Sequence, residues 1–170
     1  CALPIFVVAT GSAARSLPGL EPDGKRILTS DEILEITEVP KSLIVLGAGA
    51  VGVEFATLFN RFGSEVTLVE MLPRVLPFED EDVADCVAAS FERMGITIHR
   101  EAQLVSLEVV DGEVEYVVDC AGTPHTLRVE KALISIGEAK PDAKIPAAEL
   151  AAWTNVATVL LNMDEAITKE

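Results

Sequence analysis

The chain has 170 residues, 49% of them apolar, with 13 Lys plus Arg against 28 Asp plus Glu, for a net charge of −15. That apolar share is enough for one domain core, or for a core with a tail. So acidic a chain is a poor partner for nucleic acid or an anionic membrane, and an anionic ligand must be held by local N–H groups instead of the global field.

In chain order, Ile5–Ser12 reads as a buried strand ending in a turn, followed by a loop carrying Pro18, Gly19, Pro22, Asp23 and Gly24. Thr29-Ser30-Asp31-Glu32 has capping-box spacing and predicts a short helix toward Ile36, closed by Pro40. Leu43-Ile44-Val45-Leu46 is a buried strand that turns through Gly47-Ala48-Gly49-Ala50-Val51-Gly52 into a helix. In that helix Phe55, Leu58, Phe59 and Phe62 recur at spacings of three and four and predict one buried face, with Gly63 as a left-handed cap. Val66–Val69 is the next strand and ends on Glu70; Pro73 and Pro77 punctuate the loop after it.

Glu79-Asp80-Glu81-Asp82 begins a second helix, where four acids suit the helix dipole. Val83, Val87, Phe91 and Met94 are its expected core face, Cys86 a small buried hydrophobe on it, and Gly95 its cap. Ile96-Thr97-Ile98 is a third strand. From 102 to 130 the apolar period changes to two: Leu104, Leu107 and Val109, then Val114, Tyr116 and Val118, then Leu127 and Val129. Asp111-Gly112 predicts a type I′ hairpin and Gly122-Thr123-Pro124 a second turn, so this stretch is an antiparallel β-meander. Ala132–Gly137 is a last buried strand. Beyond Pro141, Ala147–Ala152 could be helical and Val156–Leu161 a strand.

The strand, the G-x-G-x-x-G turn, the helix and an acidic residue 18 positions past Gly52 form the fingerprint of a dinucleotide-binding βαβ unit. The predicted fold class is therefore α/β, a Rossmann-like domain with an inserted antiparallel meander. Gly47 permits the tight turn, Gly49 a close approach of pyrophosphate, and Gly52 helix–strand packing. The first helical amides, at Ala50 and Val51, have no intrahelical partner and sit at the positive end of the helix dipole, where a diphosphate satisfies both conditions. Glu70 would accept from the hydroxyls of the adenosine ribose and would repel the 2′-phosphate of NADP, which favours NAD. Arg74 stands close enough to bear on that choice; its plain reading is a surface ion pair. In an open α/β sheet the strand C-terminal ends line the crevice, so Gly137 is expected to face the same crevice as Gly49.

The three cysteines, Cys1, Cys86 and Cys120, lie at no metal-ligand or C-x-x-C spacing; the closest pair is 34 apart. An odd, sparse set suggests reduced thiols in a cytoplasmic compartment. No metal set is legible, and His99 and His125 read as ordinary structural or surface histidines. The longest apolar run, around Leu43–Phe59, is interrupted by Glu54 and three glycines and is no membrane span. The chain starts at Cys1 and looks like a segment of something longer.

These pieces, in this order, resemble the flavoprotein (pyridine nucleotide) disulfide oxidoreductases, and within them the dihydrolipoamide dehydrogenase branch. The text that carries the resemblance is Val8-Ala9-Thr10-Gly11-Ser12, Leu17-Pro18-Gly19, Ile27-Leu28-Thr29-Ser30, Val39-Pro40-Lys41, Gly47–Ala56, Gly63–Glu70, Arg74-Val75-Leu76-Pro77 and Ser135-Ile136-Gly137. It implies that residues 41–140 are the NAD-binding domain of such an enzyme, with 1–40 a crossover strand and linker and 141–170 a tail that starts the return to the FAD domain. In that family NAD presents its nicotinamide to FAD for hydride exchange, and Glu54 would lie near the nicotinamide end. The FAD fingerprint, the redox cysteine pair and the interface domain with its catalytic histidine are absent from this sequence. FAD and those domains would thus be partners supplied by the parent protein, no catalytic residue is assigned here, and the chain alone is not expected to turn over. Glu138 stands where the family carries basic residues. Three alternatives stay open: a stand-alone NAD-sensing or interaction module, the mercuric reductase branch, and the NADH oxidase branch. A methyltransferase is disfavoured by the meander and by Thr10-Gly11.

Overall fold

The computed structural model describes residues 14, 15 and 17–137. The expected strand Ile5–Ser12, Glu138, the expected helix Ala147–Ala152 and the expected strand Val156–Leu161 lie outside the described residues.

Five strands pair in parallel in the order β1-β8-β2-β3-β4, where β1 is Ile27–Leu28, β2 Ser42–Leu46, β3 Glu65–Val69, β4 Thr97–His99 and β8 Lys131–Ile134. Helix α1 (Ala50–Arg61) links β2 to β3, and helix α2 (Glu81–Arg93) links β3 to β4. A separate antiparallel sheet holds β5 (Ala102–Val110), β6 (Glu113–Cys120) and β7 (Thr123–Val129). The α/β class with an inserted meander is therefore the observed one. Strand β1 is too short to show in the apolar pattern. It forms because Asp23 Oδ1 accepts the amides of Lys25, Arg26 and Ile27 and turns the chain onto the edge of β8.

The parallel sheet is covered on both faces, which is why β2 reads as an unbroken apolar run. Leu43 and Val45 pack with Ala56, Phe59, Ala88 and Phe91 of the helices. Ile44 and Leu46 pack the other way, with Leu107, Val114, Tyr116 and Val118 of the meander.

The helix faces match the expected ones only in part. The buried residues of α1 are Gly52, Ala56 and Phe59, and those of α2 are Ala84, Ala88 and Phe91. Both are small–small–Phe at i, i+4 and i+7, which brings each helix axis close to the sheet. Of the expected faces, Phe55, Val87 and Met94 also pack against this core, while Leu58, Phe62 and Val83 flank it. Leu58 is 40% and Phe62 58% exposed, and Val83 is 49% exposed. Cys86, two residues on from Ala84 and so on the opposite side of α2, is exposed and not a buried hydrophobe. Both helices end as expected on left-handed glycines. Ser64 N–H reaches Phe59 C=O and Gly63 N–H reaches Asn60 C=O, with the same pair at Ile96 to Phe91 and Gly95 to Glu92.

Three further expectations are corrected. The helix after Thr29 is a single 3-10 turn, Glu32–Glu35. The Glu32 carboxylate does reach back to the Thr29 amide at 2.7 Å, but the Thr29 hydroxyl also donates to that carboxylate and caps no helical amide beyond Asp31. The second hairpin turn is Ala121-Gly122, and Thr123 and Pro124 already lie in β7, an edge strand where the missing proline donor is harmless. In the meander, Val109 and Leu127 lie on the two outer strands and are 45% and 42% exposed, so β6 carries most of its core. The three-residue step from Leu104 to Leu107 crosses a register shift between Leu104 and Ser106, a bulge that restores the inward face.

Candidate functional site

Strands β2, β3 and β8 end side by side, and their last hydrogen bonds run on into the loops. Gly47 N–H donates to Val69 C=O at 2.8 Å, and Ser135 N–H donates to Leu46 C=O at 2.8 Å. Gly47 has φ +102, and a Cβ there would stand 2.1 Å from the Ser135 carbonyl oxygen. A Cβ on Gly52 would stand 2.0 Å from the Gly47 carbonyl oxygen. Backbone contact therefore requires both glycines. Gly49 differs: its φ is −72, and a Cβ there would meet nothing within 4 Å. Neither conformation nor packing asks for glycine at this position.

Gly49 is the N-cap of α1, and no described side chain caps it. The first helix-closing bond is Val53 N–H to Gly49 C=O at 3.0 Å. Ahead of it the amides of Ala50, Val51 and Gly52 lie in the first turn, where the helix leaves its donors open and its dipole is positive.

Glu70 follows directly on β3 and is 8% exposed. One carboxylate oxygen accepts Ala48 N–H at 2.7 Å and the other accepts Leu72 N–H at 2.9 Å. A carboxylate offers about four acceptor positions, so each oxygen keeps one free. Its backbone is fixed as well: Glu70 N–H donates to His99 C=O at 2.8 Å, and its C=O accepts Ala102 N–H at 3.0 Å. The fingerprint carboxylate thus has a structural role that spacing does not reveal, as the strut between the glycine turn and the end of β3.

The loop after Glu70 also grips the turn. Leu76 N–H donates to Ala48 C=O at 2.7 Å, from a left-handed backbone with φ +47. Val75, 1% exposed, anchors the loop in the helix-side core. Arg74 pairs with Glu81 of α2 at 3.4 Å, the surface ion pair of its plain reading.

The structure therefore brings Gly47, Gly49, Ala50, Val51, Gly52 and Glu70 together at the C-terminal ends of the neighbouring strands β2 and β3. Gly137 (φ +98) lies three residues beyond β8, the other neighbour of β2, and its C=O accepts Arg15 N–H at 3.0 Å. Glu54 is exposed, one turn along α1. Sequence reasoning missed Ala48, Leu72, Leu76 and Ser135 because they contribute backbone atoms or close contacts. The positive φ of a leucine has no sequence signal.

At the end of β4, His99 Nδ1 lies 3.8 Å from Cys120 Sγ, and burial, with the nearby His125, holds the His99 imidazole below its ordinary range. Among the described residues no group of three His, Cys, Asp or Glu is placed to hold a metal ion, and no helix is long and apolar enough to cross a membrane. A cleft of about 540 Å³ lined by residues such as Lys25, Arg26, Glu130 and Lys131 takes no part of the fingerprint.

Residues 5–160 match the model of the pyridine nucleotide-disulphide oxidoreductase family, and the chain belongs to that family. It is 48% identical over 134 residues to dihydrolipoyl dehydrogenase of Chlorobaculum tepidum, covering 78% of this chain and 28% of that protein. Over 133 residues it is 37% identical to dihydrolipoyl dehydrogenase of Bacillus subtilis, covering 77% of this chain and 28% of that protein. Among solved structures, LpdA from Mycobacterium tuberculosis superposes with a TM-score of 0.72 at 31% identity, covering 82% of this chain and 30% of that one. The HOCl-induced flavoprotein disulfide reductase RclA from Escherichia coli, solved as a Cu(II) complex, gives 0.68 at 31% identity, covering 82% and 31%. The chain thus spans less than a third of the length of these curated relatives, which are oxidoreductases.

Proposed function

We propose that residues 41–140 are an NAD(H)-binding domain and that the ligand lies along the C-terminal edge of the parallel sheet. Gly49 and the amides of Ala50, Val51 and Gly52 would hold the diphosphate, the free acceptor positions of Glu70 the adenosine ribose, and Gly137 and Glu54 would lie toward the nicotinamide. The observation that carries this reading is Gly49, a glycine the fold does not need, with open space before it at an uncapped helix start. A Cβ would fill the space that a diphosphate needs. The carboxylate of Glu70, held by two amides, cannot swing aside to admit a 2′-phosphate, so NAD is favoured over NADP.

In the parent protein the activity would be that of a dihydrolipoamide dehydrogenase-like flavoenzyme. Held by these residues, NAD(H) would supply hydride chemistry at its nicotinamide, in exchange with an FAD held by FAD-binding and interface domains outside this chain. The residues described here bind and orient; none is assigned to chemistry, and the chain alone would not turn over. The free thiols of Cys86 and Cys120 suit a cytoplasmic setting.

Amide hydrogen exchange with and without NADH tests the reading. Protection is expected at residues 48–52 and 70–72. Protection confined to other segments, or none at saturating NADH, overturns it.

A further inference from the structure

The middle of the glycine turn is held from outside the turn. Ala48 is fully buried, so both of its backbone polar groups need partners within the protein. Glu70 takes the N–H, and the backbone N–H of Leu76 donates to the C=O. Both partners belong to the connection between β3 and α2.

Leu76 makes its bond from φ +47, a conformation leucine rarely adopts and that Gly, Asn or Asp would take more readily. The surroundings impose it. Val75 is locked in the core on one side. On the other, Leu76 C=O accepts Glu79 N–H at 3.0 Å across Pro77, and Arg74 ties the loop to Glu81. A backbone outlier over-determined by its neighbours, and aimed at the centre of the candidate site, is where strain serves pre-organisation.

We infer that Leu76 is a positioning residue for the diphosphate: its N–H fixes the Ala48 peptide and, through it, the direction of the Gly49–Gly52 amides. The inference rests on the NAD(H) reading above. It adds residues 74–76 of the connection between β3 and α2 to the binding machinery without requiring any of their side chains to touch ligand.

The test compares the 170-residue chain with L76P and L76G, titrated with ADP-ribose, which carries the diphosphate, and with adenosine, which does not. Proline has no N–H and cannot adopt φ +47; glycine keeps the donor and adopts that angle freely. L76P should lose about tenfold or more in ADP-ribose affinity, the effect of one buried acceptor left unpaired, with adenosine changed less than about threefold. L76G should stay within about threefold of the parent chain for both ligands. Equal losses for the two ligands, or an L76P that binds ADP-ribose as the parent does, would overturn the inference. Should L76P lack a cooperative thermal transition, V75A repeats the comparison with every backbone donor intact. A loss selective for ADP-ribose supports the inference, and an equal loss or none overturns it. A parent chain that binds neither ligand fails the NAD(H) reading itself and removes this inference with it.

Discussion

The hairpin turns of the meander and the turn at the head of α1 are all built on glycine, for different reasons. At Asp111-Gly112 and Ala121-Gly122 both residues of each pair have positive φ, the type I′ geometry, and a Cβ on either glycine would meet nothing within 4 Å. There glycine supplies conformation. Gly52 has an ordinary helical backbone but a carbonyl oxygen where its Cβ would go, and glycine there supplies room for the fold. Gly49 answers to neither need. A glycine demanded by no internal constraint points outward, to what the turn must approach.

Substitutions can break that comparison at each level. The largest effect is expected for Gly52→Ala, whose Cβ would collide with backbone that cannot step aside; a loss of about 3 kcal/mol or more of stability should appear in chemical denaturation. Gly49→Val should cost about 1 kcal/mol or less of stability, since valine is only a poorer N-cap, yet weaken NADH about a hundredfold or more in a fluorescence titration. The two glycines then separate into one of fold and one of ligand. If both variants lose stability and binding in proportion, the distinction fails.

Glu70→Ala lies between them, because it strips the Ala48 amide of its buried acceptor and would remove the proposed ribose partner. About 1–3 kcal/mol of stability and about tenfold or more in NADH affinity should go together, read by paired denaturation and titration. At the meander, Ala121→Asn should raise stability by about 1 kcal/mol, because asparagine tolerates the φ of +54 held there by alanine, and should leave NADH affinity unchanged.

The smallest effect concerns pH. The His99 imidazole is depressed, chiefly by burial and then by His125, so below its ordinary value the unfolded chain takes up a proton that the folded chain does not. Stability is then complete above about pH 6.5 and declines as pH falls through that value toward the lower folded one. His99→Gln should flatten this part of a stability–pH curve, and a curve unchanged by the substitution would deny the shift.

Much of the molecule was legible in the sequence because its signals are periodic or steric. Alternation marked the meander, unbroken apolar runs marked the doubly covered strands, and Gly63 and Gly95 marked helix ends. The helix faces were legible only in part: Phe55, Phe59, Val87, Phe91 and Met94 do pack on the core, but much of the contact is made by Gly52, Ala56, Ala84 and Ala88, small residues that hydrophobic spacing underweights, while Leu58, Phe62 and Val83 stand at the rim. At the candidate site the nearness of Glu70 to the glycine turn was readable from spacing, and the bonds that hold the turn were not. The strut from Glu70 to Ala48 and the Leu76 bond depend on where two loops meet, which local pattern does not encode.

The most direct measurement is a calorimetric titration of the chain with NADH and, separately, with NADPH. The account predicts saturable one-to-one binding of NADH and markedly weaker binding of NADPH, because on this reading Glu70 would face the ribose. Binding of neither nucleotide, or tighter binding of NADPH, would contradict it.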